Sequence, residues 1–578
     1  MKLVVPLSSQ SKLQFIFPFA FGMLTIASSV SFAAEKFARD STAIAVAEQI
    51  KNMTLRQKIG QLLMIGFNGV SLDESLKDTL PAVQPGGLIV FGRNITSAQQ
   101  ISDLLFRAQQ ISEKNVHVPL LVSTDQEGGS VIRLKTANPL PSALAIGRSG
   151  DPSLAEKAGF ATARLMKALG FNMNLAPVLD VADPHRMSFI GTRSYGEEPN
   201  LVADMGTAFS SGLIRGGVLP TGKHFPGQGS LAQDPHSERA EKNVSLDEMM
   251  KLDLLPFTKI NNSLGDRWAI MVGHIACPEI DPSGTAAVYS KPILTDVLRD
   301  TIGFNGLVLT DDIQMEGAGE LKDPRERAVR AIESGADMIM VAWNRRLQRE
   351  LVNSIERAVQ SGRLRAARIE ESVGRILRVK MIYAAGPPVL HTRSEMKLAL
   401  ENSAFSEIAT AAMVAQFRRP LDSDEMQLRQ ATLVKSGQEP KSHPIFVFSA
   451  NQRFALSFKL AAEKNRRVGT FGIDYLHPEA VNRTMLSNPR AFGVFYVSGA
   501  QAERAAAHIA PDVARRMLLV STETPGSLVN ARDFNYIAET YFRHPELGKM
   551  IAERYFNQKP TVTTEVRRPT QVKNTRGG

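Results

Sequence analysis

Leu219-Pro220-Thr221-Gly222-Lys223-His224-Phe225-Pro226-Gly227-Gln228-Gly229 begins as a short apolar strand and ends as a loop, and Asp234-Pro235-His236 follows at once. Two histidines, a lysine and a carboxylate fall within the fourteen residues from Lys223 to His236, on a backbone broken up by Gly and Pro. The loop after a strand is where α/β folds carry ligands and chemistry. A carboxylate two residues from an imidazole can bond its N–H, fix the tautomer and hold the pKa near neutrality, which suits proton transfer. Taken alone, the run reads better as a solvated polar turn. Its weight comes from repetition elsewhere in the chain.

Working outward, residues 40–380 alternate apolar strand-like runs with amphipathic ones. The strand candidates are Gln61–Phe67, Gly86–Phe91, Leu120–Thr124, Asn172–Val178, Leu219–His224, Ala269–His274, Gly306–Thr310 and Asp337–Val341. Helical stretches lie between them, among them Ser97–Glu113, Ser153–Leu169, Leu201–Arg215, Leu246–Ile260 and Arg325–Glu333. Eight such repeats point to an α/β fold of the (β/α)8 TIM-barrel type, and a doubly wound sheet competes with it. Polar residues just past the strand ends favour the barrel: Asp125, Asp180, Arg193, Lys223, His224, His274, Asp311 and Asp312. Each singly reads as a helix cap, but chemistry drawn from many strand ends is the barrel pattern.

A helix over Ile369–Tyr383 closes this region, and Gly386-Pro387-Pro388 marks a linker. A second helix, Lys397–Gln416, leads into a polar stretch. A smaller α/β sandwich follows, with strands predicted at Ile445–Phe448, Val468–Phe471, Phe492–Val497 and Met517–Val520 and helices near Phe454–Lys464, Ala500–Ile509 and Leu547–Tyr555. No Gly-x-Gly-x-x-Gly follows its strands, so no nucleotide is assigned to it. The resulting division is 1–33 leader, 34–383 barrel, 384–440 linker helix and irregular segment, 441–556 sandwich and 557–578 disordered tail.

The 578 residues exceed one ordinary core, at roughly 150 residues per domain. With 43% hydrophobic and 22% charged residues the chain is globular. Its net charge of +10 is not concentrated in basic blocks with interleaved aromatics, which argues against nucleic acid as a partner. Lys2 and Lys12 precede or open an apolar run to Val30, and Ser31-Phe32-Ala33 supplies small residues for cleavage before Ala34. That is the form of a secretory signal, and Pro18 and Gly22 argue against a permanent membrane anchor. The single cysteine, Cys277, excludes a disulfide within one chain and a lipid attachment after the leader. Export is expected, to the periplasm or beyond.

Five ordered motifs make residues 50–385 resemble glycoside hydrolase family 3, in its branch of bacterial exo-β-N-acetylglucosaminidases. They are Asp125-Gln126-Glu127-Gly128-Gly129 with Val131 and Arg133, Asn174 to Val181, Gly191 to Tyr195, the Lys223–His236 run, and Gly306 to Gly317. Ser130 stands where arginine is usual, Gln228 where His or Asp is usual, and Pro235 where Ser or Thr is usual. The resemblance implies a (β/α)8 barrel and a retaining hydrolase of terminal β-N-acetylglucosamine, acting on cell-wall (peptidoglycan) fragments or related glycans. It assigns Asp311 as nucleophile, His236 as acid/base and Asp234 as the group that orients and tunes His236. It gives sugar recognition to Asp125, Arg133, Arg193, Lys223 and His224, for which a salt-bridge network at the barrel mouth is the competing reading.

No cofactor or metal is expected, since the histidines do not recur at i, i+4 and the hydrolysis proposed needs none. The expected partner is carbohydrate, and oligomeric state is not legible. Asp312 is read as a cap or loop partner, His274 and Met315 as pocket lining or packed support, and Phe225 and Trp343 as core or wall. A β-glucosidase, a phosphorylase of the same family and an inactive glycan-binding barrel are the alternatives.

Overall fold

The structure is a computed structural model that describes residues 41–136, 139–183, 188–231, 240–315, 321–401, 404–418, 444–449, 451–462, 468–471, 478–489, 491–497, 508–521, 536–539 and 547–555. The leader, the tail, and Asp234, Pro235 and His236 lie outside the described residues.

Eight parallel strands form the first sheet: β1 (Leu63–Ile65), β2 (Gly87–Ile89), β3 (Leu121–Thr124), β4 (Met173–Asn174), β5 (Leu219–Phe225), β6 (Ala269–Val272), β7 (Leu307–Thr310) and β8 (Ile339–Val341). Their order, β7-β6-β5-β4-β3-β2-β1-β8, follows the chain, and a parallel bridge from Leu309 to Met338 closes the ring. The Met340 N–H also donates to Thr310 Oγ1 at 3.0 Å across that seam. This is the expected TIM-type barrel. A doubly wound sheet would leave two open edges.

Each strand lies inside the predicted run or within a residue of it, because strands covered on both faces read as unbroken apolar stretches. Every residue of β1, β2, β3, β5, β6, β7 and β8 is buried. Burying a Val, Leu or Ile contributes about 1.5–3 kcal/mol, so these short strands carry much of the core. The predicted Leu246–Ile260 helix is two helices, Leu246–Lys251 and Leu255–Leu264, with Pro256 in the first turn of the second. Pro cannot continue the earlier helix but fits the start of a new one.

Helix capping falls to residues away from the strand ends. Ser97 accepts from the Gln100 N–H, Asp323 from the Arg325 N–H and Asn344 from the Leu347 N–H. Among the described residues, Asp125, Asp180 and Asp311 cap no helix, which leaves them available for other work.

A second, five-stranded parallel sheet comprises β9 (Ile445–Phe448), β10 (Val468–Phe471), β11 (Phe492–Val497), β12 (Met517–Ser521) and β13 (Tyr536–Glu539), in the order β10-β9-β11-β12-β13. β13 is additional to the four predicted strands; its four residues, ending in Glu539, carry too little periodicity to announce it. Phe454, Phe458, Leu547 and Ile551 pack on one face, and Val481, Met485 and Val513 on the other. The predicted helix at Ala500–Ile509 falls largely outside the described residues. The stretch read as a linker helix is two helices, Arg393–Leu400 and Ala404–Arg418, which pack against barrel helix Pro152–Ala168. Leu144, Ala145 and Ala409 share one apolar cluster with β9, β11 and β12, so the core of the second sheet is continuous with the barrel surface and the helix Ala404–Arg418.

Candidate active site

The C-terminal ends of β3, β4, β5 and β7 converge on one mouth. At β3 the chain runs into a small antiparallel pair, Gln126–Gly128 with Val131–Ile132. Asp125 and Glu127 flank Gln126, and the two-residue repeat of extended chain puts them on one face. Gln126 itself is locked: its N–H donates to Asn174 Oδ1 at 3.1 Å, and its Oε1 accepts from the Arg133 and Leu134 N–H groups at 3.0 Å each. The turn needs glycine, since Gly128 has φ +98° and a Cβ there would meet Pro141 O at 2.2 Å.

Lys223, in β5, enters this cluster from the next wall but one. Its Nζ lies 2.8 Å from Asp125 Oδ1 and 2.7 Å from Glu127 Oε1. Arg193, in the short helical turn Gly191–Arg193, grips Glu127 with both Nε (2.8 Å) and an Nη (2.9 Å). Arg133 completes the group at 3.6 Å from Asp125 Oδ2. Burial by itself would raise the Glu127 carboxyl, but Lys223 and Arg193 outweigh it and hold it well below the usual carboxylate range. Burial likewise opposes the Lys223 ammonium, and Asp125 and Glu127 reverse that and raise it. The cluster is a fixed ionic lattice of donors and acceptors, the equipment needed to grip vicinal hydroxyls.

His224 turns elsewhere. Its Nδ1 is 2.7 Å from Asp180 Oδ2, and the other Asp180 oxygen accepts from the Gln228 N–H at 2.8 Å. The Lys223–His224 and Phe225–Pro226 peptides are cis, as is Ala176–Pro177 just past β4. Through its bonds to His224 and Gln228, Asp180 ties this stretch to the segment that follows β4. On the far side of the His236 loop, Ala240–Glu241 pairs in parallel with Ile275–Ala276, and buried Lys242 meets Asp253 at 2.6 Å. Both ends of the loop are thus anchored at the mouth.

Asp311 follows β7 directly and is part-buried; the Asp312 N–H donates to its Oδ1 at 2.8 Å. The Asp312 carboxylate points into the loop, accepting the Gln314 N–H at 3.1 Å, which is the loop-partner role expected of it. Its carboxyl is pushed up to about 6, mainly by burial and by the neighbouring Asp311, against the N–H groups of Gln314, Ala342 and Trp343 that favour its ionised form. His274 Nε2 lies 3.0 Å from Asp312 O and so supports this turn from β6. Arg327 holds the same loop from behind, donating to Ile313 O at 2.8 Å. Phe225 is core, packed edge-on against Phe257.

Of the predicted set, Asp125, Arg133, Arg193 and Lys223 meet in one cluster, His224 stands beside it on Asp180, and Asp311 lies on the same mouth. Glu127 is the residue that sequence reading leaves without a role, although it is the hub. Its spacing of two from Asp125 was the available signal. Asp180 is legible at its strand end, but its pairing with His224 has no local signature. Ser130 is exposed, away from the buried hub. Among the described residues no cluster of His, Cys, Asp and Glu is arranged to hold a metal, and no helix is long and apolar enough to cross a membrane.

Residues 54–379 match the glycosyl hydrolase family 3 N-terminal domain. A beta-hexosaminidase of Nitrosomonas eutropha is 33% identical over 322 residues, which span 54% of this chain and 90% of that protein. One of Tolumonas auensis is 35% identical over 288 residues, 49% of this chain and 83% of that protein. A solved family 3 β-N-acetylglucosaminidase of a Paenibacillus species superposes with a TM-score of 0.73 at 27% identity, covering 88% of this chain and 97% of its own. The first two similarities are confined to about half of the chain; the third extends across both sheets.

Proposed function

The chain belongs to glycosyl hydrolase family 3 and is a β-N-acetylhexosaminidase, and from that premise we propose that it is a retaining, exo-acting enzyme that removes terminal β-N-acetylglucosamine from cell-wall glycan fragments. The observation that carries the reading is the convergence of Asp311 and the Asp125–Lys223–Glu127–Arg193 lattice on one barrel mouth.

In this mechanism the lattice takes the hydroxyls of the terminal sugar, and Asp311 attacks C1 from one face. The imidazolium of His236 gives its proton to the leaving oxygen as the C1–O bond breaks, and a glycosyl ester forms on Asp311. Neutral His236 then removes a proton from water, the water oxygen bonds to C1, and Asp311 departs as carboxylate. Asp234 holds the imidazole through both steps. The anchoring of the loop at Asp180 and at Ala240–Lys242 supports placing His236 over this mouth. The leader form of residues 1–33 supports export, where wall fragments are available.

The test pairs an aryl β-N-acetylglucosaminide with an aryl β-glucoside, with and without phosphate, and weighs the protein after a mechanism-based fluorosugar. Turnover of the first substrate alone, phosphate-independent, with the adduct on Asp311, is expected. Preference for the glucoside, a sugar phosphate product, or an adduct elsewhere would each overturn a named part of the reading.

A further inference from the structure

Trp343 follows β8 and remains 50% exposed, the most exposed tryptophan or phenylalanine among the described residues. A lone exposed apolar residue needs no explanation. This one is held in place. Its ring stacks on Phe91, just beyond β2, with centroids 5.1 Å apart and planes 20° apart. The Arg93 guanidinium lies 3.6 Å from the Trp343 ring centroid and 4.4 Å from that of Phe91. The Trp343 N–H of the backbone donates to Gln314 Oε1 at 3.1 Å, and its side chain lies on the Asp312 side of the turn, where it favours the ionised carboxylate.

This three-residue stack adjoins the site. A methyl group on Gly92 would come within 3.8 Å of Arg133 Cδ, and Arg133 faces Asp125. On its other side Trp343 touches Asp312, the residue after Asp311. The stack therefore forms the rim between the buried lattice and solvent. Arg93 pairs with no carboxylate among the described residues, so the rim presents an aromatic face and an uncompensated cation together.

We propose that Trp343, backed by Phe91 and Arg93, is the platform for the leaving-group sugar: an anionic pyranose that lays its C–H face on the indole and directs a carboxylate to Arg93. The assignment rests on the exo-hexosaminidase reading, because an exo-acting site takes the terminal sugar deepest and leaves the next residue at the rim. Stacking on an aromatic face and pairing with a guanidinium are separable contributions, and each has its own variant.

Three substrates divide them: β-N-acetylglucosaminyl fluoride, whose leaving group is too small to reach the rim; N,N′-diacetylchitobiose, with a neutral aglycone; and β-N-acetylglucosaminyl-1,4-N-acetylmuramic acid, with a carboxylate. Trp343→Ala is expected to lose kcat/KM on both disaccharides by roughly tenfold more than on the fluoride. Trp343→Phe, which keeps a face but no N–H, should retain most of that preference. Arg93→Gln is expected to lose ~3–5-fold more on the muramic disaccharide than on chitobiose, an excess that high salt abolishes. Equal losses on all three substrates would overturn the platform and leave Trp343 as a prop for Asp312. A wild-type enzyme inert on all three would instead sink the hexosaminidase reading, and the platform with it.

Discussion

The barrel buries ionic clusters at both of its ends, and they differ in kind. At the floor, before β8, Asp337 is fully buried and surrounded by three arginines. Its Oδ2 accepts from Arg299 at 2.7 Å and from the Val308 N–H at 3.0 Å, while Oδ1 accepts from Ser372 at 2.9 Å and Arg375 at 3.1 Å. Every partner belongs to the strand or helix next door, so the cluster fastens elements together. At the mouth, Lys223 comes from β5 itself, Asp125 and Glu127 from the segment after β3 and Arg193 from the loop after β4, so the cluster gathers side chains from three walls at the C-terminal end of the barrel. A buried charge at the N-terminal end of a barrel strand reads as fastening, and one at the C-terminal end as chemistry.

The sharpest way to break this contrast is Asp311→Ala. Turnover is expected to fall by about 10⁴-fold or more, with the melting temperature little changed. Azide should restore part of it with inverted stereochemistry, measured by NMR of the product. A mutant that keeps its turnover would move the nucleophile elsewhere.

Glu127→Gln probes the hub. Lys223 keeps Asp125, but Arg193 loses its two-pronged partner, and kcat/KM should drop by roughly 10²–10³-fold. Activity lost only in step with melting temperature would class the mouth cluster with the floor.

Asp337→Asn is the mirror experiment. Three arginines are left around a neutral amide, and unfolding free energy should fall by about 3–5 kcal/mol while KM of the surviving native fraction holds. Denaturant titration alongside kinetics measures both.

The smallest effect is a slope. Lys380 is buried against Gln61, with Nζ 2.6 Å from Oε1, and burial lowers its pKa to about 7. Between about pH 7 and the ordinary lysine value the unfolded chain holds a proton that the native state has released. Native stability therefore gains as pH rises through this window, and the full penalty applies below it. Lys380→Met removes the dependence, although it leaves Gln61 Oε1 without its donor. Melting of wild type and variant from pH 6 to 10 should show the wild type gaining on the variant; parallel curves would mean that Lys380 stays charged.

The same contrast explains what the sequence makes legible. Eight apolar runs carry the barrel, and five of them, from the third to the seventh, end in polar residues, because a strand covered on both faces must be apolar and a catalytic mouth must not be. Asp125, Arg193, Lys223 and Asp311 could be read for the same reason. Glu127 could not be ranked against Asp125, the other acid of its loop, without knowing that Lys223 and Arg193 would arrive from β5 and the loop after β4. The pairing of Asp180 with His224 spans 44 positions and leaves no local trace. Trp343 could be read only as core or wall, since exposure is a property of the assembled rim.

The five-residue helix Ala143–Gly147 stands between two obligations. Upstream it adjoins the loop of Asp125, Glu127 and Arg133, to which it is laced by the Gly129 N–H bonded to Leu140 O at 2.9 Å. On its outer side, Leu144 and Ala145 are buried in the apolar cluster that also holds Ala409 and residues of the second sheet. A barrel standing alone would have to solve a solubility problem here: without the C-terminal unit, Leu144 and Ala145 would lose part of their apolar cover, and polar residues at both positions would be the remedy.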